Sequence, residues 1–257
     1  MKPSVRSIVF RIIRAGWPVA ILLLPAVNVL AQATDTRVVY LADLTNNHRQ
    51  ELTQKLQKIT GWSDLEFDRD GTLRKGDRQA VGGSAQARQL VATAMSVGKT
   101  IVIEDASRDP EVVFARVLPA RWKHHVSNSG AVFVIQIDFA DFRHVMGDRL
   151  VLQAFDVGWV VLHELDHIVN DSIDATHSGE TGECEEQINR MRRELNLPER
   201  GDYFFNLMST NRDSLFAARF VRLAFKVDLG RVTKSYWLMW DANLVGGLEE
   251  KQVASIH

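Results

Sequence analysis

The chain has 257 residues, 46% of them hydrophobic and 25% charged, with a formal net charge of −1. That balance is globular; it excludes a low-complexity chain and argues against nucleic acid as a partner, since a phosphate backbone calls for clustered positive charge. The single cysteine, Cys184, excludes an intramolecular disulfide, so the fold has to be held by its core.

Lys2, Arg6, Arg11 and Arg14 come before or just outside an apolar stretch, Ala15–Ala31, and no acidic residue precedes Asp35. Val29-Leu30-Ala31 and Ala31-Gln32-Ala33 both fit a small-x-small cleavage site, so residues 1–31 read as a secretory signal peptide. The stretch holds Pro18 and Pro25 and is shorter than the ~20 residues of a spanning helix. The expectation is a secreted or periplasmic protein with no stable membrane anchor after cleavage. Cleavage removes four positive charges and shifts the formal charge from −1 to −5. About 226 residues remain, enough to bury a sizeable core.

Residues 32–60 predict a strand, Val38–Leu41, and a polar amphipathic helix, Gln50–Ile59, stopped by Gly61. They form either an N-terminal extension, a short pro-segment for instance, or the start of the domain at 61–257. Asp70-Gly71 lies between Leu65–Phe67 and Thr72-Leu73, which signals a hairpin. Ser84 is placed to cap a helix over Ala85–Val97. Thr100–Glu104 is β-branched and strand-like, and Asp109-Pro110 opens a turn. Ala131–Phe139 is the most strand-like run of the chain. Helical periodicity covers 150–170, a polar loop follows over Asp171–Gly182, and a second helix spans about Glu183–Leu195. Strand runs at Arg219–Val227 and Ser235–Trp240 flank a turn at Gly230. Strands at both ends with helices between predict an α+β fold.

The first of these two helices carries His163-Glu164-Leu165-Asp166-His167, an HExxH motif. Histidines at i and i+4 share one helix face and reach one metal ion. Glu164 sits about 100° further round, where it can hold and deprotonate a water on that metal. Trp159, Val160, Val161, Leu162, Leu165, Ile168 and Val169 make this a core helix, on which two unpaired imidazoles are costly unless something binds them.

A catalytic zinc site has three protein ligands and an open position. On the second helix Cys184, Ile188, Met191 and Leu195 mark the core face, and Glu185, Asn189 and Arg192 flank it together. Glu185 is therefore the expected third ligand, with Glu183, Glu186 and the loop residue His177 as rivals; Asp166, Asp171 and Asp174, acids beside the motif, are weaker candidates that read as outer or solvated groups. Asn189 is placed to hydrogen-bond a ligand histidine. Cys184 reads as a small core residue, with metal ligation and nucleophilic roles as alternatives. Position 173 is Ile173, so the HExxHxxGxxH pattern is absent.

HExxH, a loop and a glutamate on the next helix resemble the zincin metallopeptidases in their glutamate-completed, gluzincin-like form. The stretch Gly182–Tyr203, GECEEQINRMRRELNLPERGDY, is similar to metallopeptidase-like domains of bacterial Rhs/YD-repeat proteins and secreted effector proteases. The resemblance implies a mixed sheet packed on the HExxH helix and a second ligand-bearing helix. It implies Zn2+ held by His163, His167 and a glutamate of 182–186, with Glu164 as base and a peptide or protein as substrate. Tyr203 is then a candidate oxyanion donor, or else a core aromatic beside Phe204 and Phe205. Arg200 is placed to pair with acids of the site, and Ala131–Phe139 either to align substrate by β-addition or to lie as a buried central strand. The alternative to a peptidase is a catalytically silent, zinc-stabilised binding or toxin-associated module of the same fold.

Overall fold

The computed structural model describes residues 37–107, 109–119, 131–207 and 220–246. The chain divides into two units, Met1–Ala33 and Thr34–His257, and all described residues belong to the second. The signal peptide expected over 1–31 lies outside them. No helix among the described residues is long and apolar enough to cross a membrane.

In chain order, β1 (Arg37–Tyr40) leads into α1 (Asn46–Thr60), which ends at a left-handed Gly61 (φ 74°). The hairpin β2 (Leu65–Phe67) and β3 (Leu73–Lys75) turns through Asp70-Gly71. α2 (Ala85–Ala94) starts where the Ser84 hydroxyl accepts the Ala87 N–H, and β4 (Thr100–Asp105) follows. Two more strands, β5 (Ala115–Pro119) and β6 (Val132–Ile137), complete a sheet of order β1-β4-β6-β5. β1, β4 and β6 run parallel and β5 is antiparallel to β6. Residues 37–60 are thus built into the sheet and, through Leu52, Leu56 and Ile59, into the core.

Here one open alternative is decided and one sequence expectation changes. The run Ala131–Phe139 forms a central strand, flanked by β4 and β5, so its backbone groups are committed and it offers no edge for β-addition. The edge on this side is β5, a strand that the sequence does not announce, and β1 lies at the other end of the order. The helical run 150–170 is two helices beyond a short β7 (Met146–Gly147): α3 (Arg149–Ala154) and α4 (Val157–Asn170). Between them Asp156 caps α4, accepting the Gly158 and Trp159 N–H groups, while its other oxygen meets Lys55 at 2.9 Å. A capping carboxylate stops one helix and starts the next at a new angle.

After α5 (Gly182–Glu194) come β8 (Glu199–Arg200), β9 (Asn206–Leu207), β10 (Phe220–Asp228), β11 (Thr233–Asp241) and α6 (Ala242–Val245). β10 and β11 pair antiparallel and anchor a second sheet with β7, β8 and β9. One apolar cluster joins the first sheet to α1, α2, α4 and α5; another lies on the β10–β11 hairpin with Phe114, Val151 and Phe155. α4 packs against α1, α2 and α5 and against β5 and β6, so its motif is held from several sides. The class is α+β, as the element order predicts.

Asp141 marks a tight spot between the two sheets. It is buried and accepts the N–H of Phe114, a non-glycine residue at φ 64°. Burial pushes its carboxyl up to about 7, with the nearby Asp138 adding to burial and the Phe114 N–H opposing it. The folded protein therefore binds a proton there that the unfolded chain releases near 3.8. Stability falls as pH rises from about 4 to about 7 and levels off above that. Asp141→Asn keeps an acceptor for Phe114 without the charge. It is expected to raise the melting temperature by a few degrees at pH 8 and leave it unchanged at pH 4, measured by thermal melts.

Candidate metal centre

α4 delivers both histidines to one side, and the loop after it supplies a third group. Asp171 takes a left-handed turn (φ 53°) at the end of α4. The chain then doubles back so that Asp174 bridges to Gly182 and the Glu183 N–H reaches the Ile173 carbonyl at 3.0 Å. Gly182 has φ 77°, and a Cβ there would meet the Ala175 nitrogen at 2.3 Å, so only glycine fits. This seat places the Asp174 carboxylate over the two imidazoles.

Three atoms converge. His163 Nε2 and His167 Nε2 are 3.2 Å apart, and Asp174 Oδ1 is 3.1 Å from the first and 3.4 Å from the second. With ligand bonds of about 2.0–2.1 Å, two corners of a zinc tetrahedron stand about 3.3–3.4 Å apart. The triangle therefore has the dimensions of one tetrahedral face. Asp174 Oδ1 is buried and accepts no hydrogen bond, although two ring nitrogens stand beside it.

The other ring nitrogens are turned outward. His167 Nδ1 meets the Ser172 carbonyl at 2.7 Å, which it can only engage as an N–H donor. His163 Nδ1 lies 3.3 Å from Glu185 Oε2. With the proton of His167 on Nδ1, its Nε2 lone pair, the His163 Nε2 atom and a carboxylate oxygen face one point, an arrangement that favours positive charge there. Without a metal, protons supply that charge. Burial pulls His167 down, but Asp174 and Cys184 outweigh it and push it up to about 11. His163 is likewise raised against its burial by Asp174, Cys184 and Glu185. Burial pulls Asp174 up, and the two histidines hold it well below the usual carboxylate range.

Glu185, the third ligand expected from the sequence, stands apart from the triangle. It is buried, paired through Oε1 with Arg192 and through Oε2 with Arg200 at 3.1 Å, and it faces His163 on the Nδ1 side. Burial would raise its carboxyl, but the two guanidinium groups hold it well below the usual range. The rivals are elsewhere too. Glu183 meets the Ile173 N–H at 3.4 Å, Glu186 accepts from the Thr181 hydroxyl, and His177 is exposed beside Thr176. Asn189 touches no histidine. It accepts the Arg200 N–H and an Arg192 N–H and donates to the Arg200 carbonyl, tying β8 to α5. The wheel correctly places Glu185, Asn189 and Arg192 on one stripe; they bind one another and Arg200.

Tyr203 donates its hydroxyl to Asp174 Oδ2 at 2.7 Å, and its ring lies 6.2 Å from that of His163. Burial and the Asp174 charge keep the phenol protonated well above its usual range, so it positions the aspartate. Asp166 is bonded to Asn170 at 2.6 Å and takes no part in the cluster. Asp174 is the residue that the sequence ranks too low, since nothing in a polar loop fixes where a carboxylate four residues beyond the end of a helix will land.

Glu164 is buried and points to the edge strand, where its carboxylate accepts the Val117 N–H. Burial raises its carboxyl, partly offset by the positive charge of the two histidines. Beside it opens a cavity of about 190 Å3 bordered by His163, Tyr203, Trp159, Phe205 and Trp240. Its wall is largely aromatic, and its charged lining comes from Glu164 of the motif and from Glu185, Arg192 and Arg200 beyond it.

No family model matches the chain, and no curated protein or solved structure matches it either.

Proposed function

We propose that the protein is a zinc-dependent peptidase whose metal is held by His163, His167 and Asp174, with Glu164 as general base. The observation that carries this reading is the triangle of three donor atoms beside a buried glutamate and a cavity. Zinc, when bound, supplies a Lewis acid that polarises a carbonyl and lowers the pKa of a water. Glu164 takes a proton from that water and passes it to the leaving amine; burial tunes its carboxyl upward, toward the pH at which it works. The Ser172 carbonyl holds the His167 imidazole by its outer nitrogen, Glu185 stands 3.3 Å from the outer nitrogen of His163, and Tyr203 holds Asp174. The aromatic cavity takes an apolar side chain of the substrate, and β5 offers an edge along which an extended peptide can add. A zincin-like arrangement is supported by that edge strand lying against the HExxH helix, with α5 packed on its other side. The signal-like pattern of residues 1–31 supports an activity outside the cytoplasm.

Glu164→Gln tests the reading. Zinc content by elemental analysis should match the wild type, while cleavage of a mixed peptide library should drop by at least about 100-fold. Undiminished cleavage would remove Glu164 from its role. Cys184, within reach of the three donors, favours a second reading, the zinc-stabilised module without turnover, because a fourth protein ligand closes the site. One bound zinc with no cleavage of any library peptide by the wild type or by a zinc-loaded Cys184→Ala variant selects that module.

A further inference from the structure

Cys184 has surroundings unlike those of a buried packing cysteine. It is fully buried in the first turn of α5, and its thiol donates to the His163 carbonyl at 3.2 Å. Its Sγ and one donor atom each of His163, His167 and Asp174 all lie within 4.8 Å of one another. For bonds of about 2.3 Å to sulfur and about 2.0–2.1 Å to nitrogen, the sulfur–nitrogen edge of a zinc tetrahedron is about 3.5 Å. Little more than ~1 Å of adjustment brings the sulfur to a fourth corner. Glu185, the next residue, is withdrawn from competition by its two arginines. Asp174 Oδ1, one of the cluster's donor atoms, is buried without a hydrogen bond.

We infer that Cys184 is the fourth ligand, so that the resting centre is a closed tetrahedron of two histidines, one aspartate and one thiolate. This rests on the metal centre proposed above and adds its regulation. A thiolate biases the site toward zinc and away from magnesium, calcium and manganese. With zinc bound, the Cys184 thiolate would occupy the position a water needs, so access of water would depend on that side chain. The latent state is thereby set by one side chain on α5.

Cobalt(II) substitution in the full chain decides the matter, because a cobalt-bound thiolate adds a near-ultraviolet charge-transfer band to the visible bands of a tetrahedral ion. The wild type should show both. Cys184→Ser and Cys184→Ala should keep visible bands, lose the near-ultraviolet band, and bind zinc more than about tenfold more weakly in chelator competition. Visible bands without the charge-transfer band in the wild type overturn the thiolate ligand and leave the three-donor centre standing. Failure of the wild type to bind one cobalt per chain overturns the centre itself. Should a variant fail to fold, the wild-type spectrum still decides.

Discussion

Asp174→Ala is expected to lower zinc affinity by more than about 100-fold in chelator competition, the largest loss among the acidic residues near the motif. Outer groups that only hold a ligand in place cost about 10–100-fold when removed; a residue that supplies one corner of the tetrahedron costs more. Asp174 does both jobs at once: Oδ1 faces the two Nε2 atoms and Oδ2 takes the Tyr203 hydroxyl. Its removal also strips away the charge that keeps His163 and His167 paired. Glu183→Ala and Glu186→Ala, which alter groups outside the cluster, should bind zinc as the wild type does. Zinc retained by Asp174→Ala but released by Glu185→Gln would return the third position to Glu185.

Glu185→Ala should act through the fold more than through the metal. Arg192 is buried and over the rings of Trp159 and Phe225, with Glu185 as its one charged hydrogen-bond partner. Breaking a buried pair by removing one partner costs about 3–5 kcal/mol. At about 2–4 °C per kcal/mol for a domain of this size, the metal-free protein should melt roughly 6–20 °C lower. Glu185→Gln, which keeps volume and an acceptor, should lose less. Calorimetry of the metal-free proteins checks this; a Glu185→Ala variant that melts with the wild type would show that the arginines find other partners.

What the sequence made legible follows where one periodicity was enough. HExxH placed both histidines and Glu164 because a helix fixes the relation of i to i+4. The wheel of α5 separated Cys184 from the Glu185–Asn189–Arg192 stripe for the same reason. Its error lay in assuming that the carboxylate of that stripe would meet the imidazoles end-on; two arginines, one of them on β8, hold it against the far nitrogen of His163. β5 escaped notice because ARVLP has no clear alternation and ends in proline, as edge strands tolerate. The break at Asp156 was hidden because Phe155 sits in phase with the apolar stripe on both sides. Asp174 depended on a left-handed residue, a bridge and a glycine, none of which has a period to read.

Gly182 contributes no atom to the centre, yet it sets where the centre's third donor stands. The loop from Asp171 to Gly182 is pinned at one end by the close of α4 and at the other by backbone packed against backbone. Its length is therefore a tolerance in the machining sense. An inserted residue has nowhere to bulge near the glycine without lifting Asp174 away from the histidines. Engineering of this protein has room at the exposed tip around His177 to Gly179, where a graft would alter the rim and leave the donors in register.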